Sequence, residues 1–151
     1  MLPERMDSEA ARVEVYAIGG QESGFIHRRQ LGNGPARGLW QMERGGGVLG
    51  VLQHPATRIL ARAVCERRNV ASNSFAAWQM MEFDDVLAAA FARLLLWTDV
   101  LRLPPVGDVN GAWQLYLRTW RPGKPRAGAW PGNYMQASSQ TAKEPRDVQP
   151  D

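Results

Sequence analysis

The run from Asp85 to Trp97, DVLAAAFARLLLW, restricts the fold more than any other part of the sequence. Apolar residues occupy nearly every position around the helical circumference of this run, which is typical of a helix buried on all sides. Asp84 precedes the run as a candidate N-cap. The run is too short to span a bilayer and contains Arg93, which argues against a membrane helix. We therefore predict a central buried helix in a mainly helical protein.

Helical spacing of apolar residues and capping residues predict further helices. Asp7 or Ser8 can cap a helix to about Gln21, in which Gly19-Gly20 indicates either close packing or the helix end. The other predicted helices are Pro55 to about Arg67, Ser72 or Asn73 to about Met81, and Val109 to about Thr119 after Asp108. No segment alternates as a strand beyond a short hairpin between residues 25 and 43. The predicted fold class is mainly α with at most a short β-hairpin.

The predicted domain covers residues 1–137. Asn133 to Ala137 is expected to form one more helical turn after the basic, Pro- and Gly-rich stretch RPGKPRAGAWPG, which follows Trp120. Residues 138–151, SSQTAKEPRDVQPD, contain no large apolar side chain beyond Val148. Because such a segment cannot bury enough apolar surface to offset its ordering entropy, it is predicted to be a disordered C-terminal tail.

The net charge, the single Cys and the two His residues restrict the kinds of functional site that the chain can hold. The formal net charge is +3 and almost all basic residues are Arg, which favours either approach to a polyanion or a merely soluble basic surface. Cys65 has no second cysteine to pair with, and it lies in an apolar helical pattern typical of a small buried residue. His27 and His54 are not spaced as metal ligands on one helix. The sequence therefore predicts no disulfide and no metal site.

Two carboxylates, Glu22 and Glu43, flank a loop rich in Gly, Asn and Pro. Cleavage of a glycosidic bond needs an acid that is still protonated near neutral pH, and an apolar, partly buried setting gives Glu that property. Glu22 follows an apolar helix and is therefore the candidate acid. Glu43 is the candidate for stabilising the transition state or positioning water. The aromatic and amide side chains available to sugar rings are Trp40, Gln41, Trp120, Trp130 and Tyr134.

Structural interpretations of the same residues stay open at this point. Glu22 can also be read as a helix-end carboxylate that pairs with Arg28 or Arg29. Glu43 can be read as a solvated acid that pairs with the neighbouring Arg44, and Trp40 as an ordinary core residue.

Glu22-Ser23-Gly24-Phe25, followed by Gly38-Leu39-Trp40-Gln41, resembles the paired motifs of the lysozyme-like superfamily. Soluble lytic transglycosylases carry Glu-Ser and then Gly-Leu-Met-Gln, and goose-type lysozymes carry a longer form that ends in Val-Asp. The wider layout, including the run LRTWRPGKP at residues 117–125, is similar to small lysozyme-like proteins encoded by tailed bacteriophages. The resemblance implies a lysozyme-like helical domain.

The resemblance also implies a role for each matching residue. Glu22 takes the position of the family's general acid, and Ser23 that of the adjacent hydroxyl that helps orient it. Gln41 takes the position of the amide that contacts the N-acetyl region of the sugar or the acid. Glu43 falls where goose-type lysozymes carry a second carboxylate that assists an attacking water.

Three departures from the family pattern concern the substrate side. Trp40 replaces the usual Met, Glu43 replaces Asp, and the late Tyr-Asn pair of transglycosylases is missing in that form. Trp120 or Tyr134 is the candidate for the place of that pair. The implied catalytic residues are Glu22 and Glu43, and the implied substrate-binding residues are Ser23, Trp40, Gln41, Trp120 and Tyr134.

The implied activity is cleavage of the β-1,4 bond between N-acetylmuramic acid and N-acetylglucosamine in peptidoglycan, with no metal or organic cofactor. The preferred chemistry is that of a lytic transglycosylase, in which the muramic 6-hydroxyl attacks, Glu22 acts as acid and then base, and a 1,6-anhydro product forms. One alternative is an inverting lysozyme, or endolysin, in which Glu43 activates water. The other is a phage virion structural protein with a lysozyme-like fold and little or no activity.

The expected partners are bacterial peptidoglycan and, for a particle component, other phage virion proteins. A basic nucleic-acid-binding protein is a further hypothesis, but no DNA- or RNA-binding motif is recognised and the Arg residues are scattered, so no nucleic acid is expected. No membrane insertion is expected. The charged N-terminus lacks the apolar run of a signal peptide, which predicts synthesis in the host cytoplasm and action in the periplasm or cell wall, through holin release or as a virion component.

Overall fold

A computed structural model describes residues 1–143 of the chain, which are mainly helical with one small antiparallel hairpin. The predicted fold class is thereby confirmed. The helices are α1 (Glu9–Ser23), α2 (Leu49–Gln53), α3 (Arg58–Arg67), α4 (Ser74–Met80), α5 (Asp85–Trp97), α6 (Val109–Trp120) and α7 (Trp130–Lys143). Short 3-10 turns at Glu4–Met6, Leu31–Asn33 and Ala127–Ala129, and a π-helical segment at Arg44–Val48, connect them.

Helix α5 occupies the centre of the fold, as the sequence predicts. The Asp84 carboxylate accepts a hydrogen bond from the backbone N–H of Leu87 at 3.0 Å and caps the helix. Most side chains of α5 are buried, including Phe91 and Leu94. The buried Arg93 donates from Nε to the carbonyl of Met6 at 2.8 Å, which holds the N-terminal turn against the helix. Its guanidinium also lies 5.0 Å from the centroid of the Trp97 ring.

Helix α1 packs along α7, and the Gly19-Gly20 pair permits close contacts there and beside the loop that follows α1. A Cβ on Gly19 would lie 2.4 Å from the ring of Phe25, and one on Gly20 would lie 3.2 Å from Oδ1 of Asn133 on α7. The helix continues to Ser23, so close packing, and not the end of the helix, accounts for the pair. Because α1 ends beside this tight contact, its last turn has a well-defined position.

Helix α7 corrects the predicted C-terminal boundary. The sequence predicts one turn and a disordered tail from residue 138, but α7 continues to Lys143. The burial of Ala137 and Thr141 along the helix explains the difference, and the Thr141 hydroxyl donates to the carbonyl of Ala137 at 3.0 Å. These small side chains gain their burial from tertiary packing, which composition does not reveal. Residues 144–151 of the predicted tail lie outside the described residues.

Helix α3 begins at Arg58 and not at the predicted Pro55. The backbone N–H of Thr57 donates to the carbonyl of His54 at 3.0 Å, and the Thr57 hydroxyl donates to the carbonyl of Val51 at 2.7 Å. These bonds fold residues 54–57 into a turn before the helix starts. Cys65 on α3 is fully buried, which confirms the prediction of a buried thiol, and burial raises the pKa of that thiol.

The hairpin consists of β1 (Ala36–Arg37) and β2 (Met42–Glu43), with Ala36 paired to Glu43 and Arg37 to Met42. This confirms the short hairpin predicted between residues 25 and 43. The indole N–H of Trp78 on α4 donates to the carbonyl of Pro35 at 2.7 Å and fastens the hairpin to the helical body. The hairpin therefore presents Gln41 and Glu43 at a defined place beside the end of α1.

Candidate active site

A cleft of about 1490 Å³ opens where α1 ends. Its lining comes from the last residues of α1, the loop and hairpin at 27–43, the segment 45–54, and the C-terminal ends of α5 and α6 with residues 121–126. Small-molecule pockets measure about 300–1,000 Å³, so this cleft has room for several units of a polymer.

Glu22 lies in the last turn of α1 and lines the cleft. The hydroxyl of Tyr116 donates to Oε1 of Glu22 at 2.6 Å. Burial raises the pKa of the Glu22 carboxyl, while the Tyr116 hydrogen bond and the charge of Arg126 oppose the rise. A carboxyl that keeps its proton to higher pH and faces a cleft is suited to donate that proton to a bound ligand.

Tyr116 is the residue of this site that sequence reasoning missed. Its ring stacks on Trp130 with centroids 5.3 Å apart and an interplanar angle of 15°. Trp130 is itself 2% exposed and donates from its indole N–H to the carbonyl of Val109 at 3.0 Å, so the stack is rigid. Burial and the Glu22 charge raise the pKa of the Tyr116 hydroxyl, which keeps it a donor. The available signal was a Tyr on an apolar helix face, because a buried Tyr hydroxyl requires a partner.

The ion pairs exclude one structural interpretation of Glu22. Arg28 pairs with Asp85 and Arg29 with Glu82, so neither pairs with Glu22. Both of these pairs join the loop after α1 to the region around the start of α5.

Glu43 is exposed and lines the same cleft as Glu22. The guanidinium of its neighbour Arg44 lies 5.2 Å from the centroid of the Phe75 ring, and the two residues form no ion pair in the structure. The two candidate catalytic carboxylates therefore share one cleft in different settings: Glu22 is half-buried and hydrogen-bonded, and Glu43 is solvated.

Ser23 and Gln41 hold the loop in place. The buried Ser23 hydroxyl donates to the carbonyl of Leu39 at 2.6 Å and accepts from the N–H of Phe25 at 3.1 Å. Gln41 has a positive φ of 46°, and its amide nitrogen donates to the carbonyls of Gly38 at 2.9 Å and His27 at 3.1 Å. Gln41 lines the cleft, and because both bonds use its amide nitrogen, its side-chain oxygen can accept a hydrogen bond from a ligand.

Two of the predicted substrate-binding residues lie in the core. Trp40 is 5% exposed, and its indole N–H donates to the carbonyl of Val15 at 2.8 Å. Tyr134 is 4% exposed, and its hydroxyl accepts from the N–H of Gly107 at 3.1 Å. The prediction of direct sugar contact is wrong for both, because neither lines the cleft. Trp120 does line it, and its indole N–H donates to the carbonyl of Trp40 at 2.9 Å.

The segment 121–126, here called the basic rim, is joined directly to α1. The amide nitrogen of Gln21 donates to the carbonyl of Arg126 at 3.0 Å, and the Arg126 guanidinium donates to the carbonyl of Gln21. Asn133 on α7 donates to Oε1 of Gln21 at 2.8 Å. These three bonds place the basic rim beside Glu22.

A second acid, Glu14, is buried on α1 and was not singled out by the sequence. It is 2% exposed, and its Oε1 has no hydrogen-bond partner among the described residues. Burial raises the pKa of the Glu14 carboxyl to about 8, against an opposing effect of the Arg118 charge. Glu14 does not line the cleft.

Within residues 1–143, no group of three or more His, Cys, Asp or Glu side chains could hold a metal ion. The same part of the chain contains no helix long and apolar enough to cross a membrane.

Comparisons of the chain with protein-family models, with curated proteins and with solved structures find no significant match.

Proposed function

We propose that the protein cleaves the glycan strands of peptidoglycan, between N-acetylmuramic acid and N-acetylglucosamine, as a lytic transglycosylase. The observation that carries this proposal is Glu22, a half-buried carboxyl with a raised pKa that opens into a polymer-sized cleft. The resemblance of the motifs around Glu22 and Gln41 to those of the lysozyme-like superfamily supports peptidoglycan as the substrate.

In this proposal Glu22 protonates the glycosidic oxygen as the bond to the anomeric carbon of the muramic residue breaks. The 6-hydroxyl of the same residue attacks that carbon, and the Glu22 carboxylate accepts the hydroxyl proton. One bond breaks, one forms, no water is consumed, and Glu22 ends protonated as it began. Tyr116 stabilises the carboxylate form through its hydrogen bond and keeps Glu22 in position.

The oxygen of Gln41 and the half-buried Trp120 are the groups proposed to contact the sugars. Gln41 can accept a hydrogen bond from an N-acetyl N–H, because its own amide nitrogen is already bound to backbone carbonyls. The carbonyl of Trp40 fixes the Trp120 ring through its indole N–H, which prepares a flat surface for a sugar ring.

An inverting lysozyme is the second candidate, because Glu43 lines the same cleft and is solvated. In that chemistry Glu43 removes a proton from an attacking water, and the two carboxyl groups stand roughly 6.5–9.5 Å apart to leave room for it. The half-buried acid alone suffices for the transglycosylase, which is why we favour that reaction.

Product analysis decides between the two. Purified sacculi are digested with the protein, and the muropeptides are examined by mass spectrometry. We expect 1,6-anhydro ends, which are one water lighter than reducing ends, and little loss of activity in a Glu43→Gln variant. Reducing ends together with an inactive Glu43→Gln variant would establish the lysozyme reaction. No cleavage of any peptidoglycan by the wild-type protein would contradict both and support a structural role in a virion.

A further inference from the structure

We infer that the basic rim binds the carboxylates of the stem peptides on peptidoglycan, so that the enzyme prefers glycan strands that carry peptides. This inference rests on the proposed function and identifies which form of the substrate the cleft selects. It assigns Arg121 and Lys124 as the recognising side chains.

The charge state of the basic rim is the first observation. Arg121 and Lys124 are exposed, line the cleft and form no ion pair among residues 1–143. Arg118, also in the cleft, is neutralised by Asp99, to which it donates at 2.7 Å. The free positive charge of this side of the cleft is therefore concentrated just beyond the end of α6, where an anionic group of a ligand can pair with it.

The rigidity of the basic rim is the second observation. Its end is tied to α1 by the reciprocal bonds of Arg126 and Gln21, and Pro122 and Pro125 restrict the backbone between. At its start, the backbone of Arg121 is left-handed, with φ of 49°, and its Nε donates to the carbonyl of Arg118 at 3.3 Å. A restricted backbone presents Arg121 and Lys124 from defined positions, which lowers the entropy lost when they pair with a ligand and favours a binding role.

The charged side chains on the two sides of the lining indicate how a glycan strand would be oriented in the cleft. Glu43 on the hairpin part of the lining is exposed and repels an anionic group, whereas the exposed Arg121 and Lys124 of the basic rim attract one. In peptidoglycan the acidic groups are carried by the peptides attached to the muramic residues, while the sugars between them are neutral. The strand would therefore lie with its peptides toward Arg121 and Lys124 and its sugars along Glu22 and Gln41.

The test compares two substrates and two matched double variants. The substrates are glycan strands that carry stem peptides and strands from which an amidase has removed them, with the lactyl carboxylates that the amidase frees converted to neutral methylamides. The test variant is Arg121→Gln/Lys124→Gln, and Arg126 is left in place because its charge acts on Glu22. The control is Arg58→Gln/Arg62→Gln on α3, which removes the same charge from exposed positions outside the cleft.

We expect the wild-type protein to show kcat/KM roughly tenfold higher on peptide-bearing strands, in line with two partly exposed charge pairs. The ratio of kcat/KM on peptide-bearing strands to kcat/KM on peptide-free strands should fall to near one in Arg121→Gln/Lys124→Gln, mainly because KM for the peptide-bearing strands rises. The same ratio should stay near ten in the control. The wild-type ratio should also shrink as ionic strength rises, because salt screens exposed charges. Equal activity of the wild type on both strands, or an unchanged ratio in the test variant, would overturn the inference and leave the proposed function intact. Cleavage of neither substrate would contradict the proposed function itself, and the inference with it.

Discussion

Helix α1 carries two acidic side chains that are withdrawn from water, and their difference shows what sets the proposed catalytic acid apart from an acid enclosed in the core. Burial raises the pKa of both Glu14 and Glu22. Glu14 is the more deeply buried, is enclosed in the core, and has one oxygen without a hydrogen-bond partner among residues 1–143. Glu22 faces a cleft and receives a hydrogen bond from Tyr116.

A raised pKa is therefore not sufficient evidence of function, since the more completely buried acid of α1 has no access to a ligand. Access to the cleft and a partner that stabilises the ionised form are what suit Glu22 to the proposed role of acid and base. Paired substitutions separate the two settings, because the same chemical change can be made at the cleft and away from it.

The largest expected effect comes from replacing each acid with its amide. Glu22→Gln should reduce the rate of sacculus cleavage by about 10²–10⁴-fold, the usual contribution of a general acid, because Gln cannot donate the proton. Glu14→Gln should stay within a few-fold of wild type. Turbidity of purified sacculi measures the rate, and circular dichroism confirms the fold of each variant. Lysis at the wild-type rate by Glu22→Gln would remove Glu22 from the mechanism.

The second effect concerns the pH dependence of stability and is tested at Glu14, the more deeply buried of the two acids. In the unfolded chain its carboxyl ionises near its ordinary value of 4.5, whereas in the folded protein it holds its proton up to about 8. Between these values the unfolded state has lost a proton that the folded state keeps, so the free energy of unfolding falls as pH rises. Glu14→Gln removes this loss of stability, because Gln does not ionise in either state. Allowing for the cost of an imperfectly paired buried amide, the variant should be about 2 kcal/mol more stable than wild type at pH 8.

Urea unfolding at pH 5 and pH 8 measures this difference. The advantage of Glu14→Gln should be lost at pH 5, because the cost of the imperfectly paired amide is the same at both pH values while the ionisation loss is small at pH 5. Glu66→Gln, at an exposed position of α3, is the matched control. A variant that is less stable than wild type at both pH values would show that Glu14 has a stabilising partner at neutral pH.

The sequence predicts α5 with its observed bounds but only one turn of α7, because α5 is specified by local residues and α7 by tertiary packing. Helix α5 is specified locally, by a capping Asp84 and a run of large apolar side chains. In α7, Ala137 and Thr141 are buried through tertiary packing on a helix that lies along α1, which is more than a hundred residues earlier in the chain. Small side chains give no periodic signal strong enough to announce that packing.

The residues of the candidate site likewise fall into those that a local motif predicts and those that only the tertiary fold reveals. Glu22 could be found from its own motif, because the loop around it is local in sequence. Tyr116 could not, since its bond to Glu22 joins residues 94 positions apart. Trp40 and Tyr134 were assigned to the cleft because aromatic side chains suit both sugar binding and core packing, and only the tertiary fold decides between the two.

The third prediction tests the partner of Glu22. Tyr116→Phe keeps the ring in its stack on Trp130 but removes the hydrogen bond that favours the Glu22 carboxylate. The pKa of Glu22 should rise, so the high-pH limb of the kcat profile should move to higher pH, with roughly a tenfold loss of rate because the acid is less well positioned. Tyr134→Phe is the matched control, since its hydroxyl bonds to Gly107 outside the cleft. A limb that stays in place in Tyr116→Phe would show that the hydrogen bond has no role in the titration of Glu22.

The smallest effect separates a loop-holding role of Ser23 from a role in orienting the acid. Its hydroxyl bonds to Leu39 and Phe25 and not to Glu22, so Ser23→Ala should cost about 1 kcal/mol of unfolding free energy and leave the high-pH limb of the activity profile unmoved. Ser139→Ala, at an exposed position of α7, should change stability by less than about 0.5 kcal/mol. Urea unfolding and a pH–rate profile measure the two quantities. A shift of the limb without a loss of stability would instead place Ser23 beside Glu22 as an orienting group, because the loop would then hold its shape without the hydroxyl.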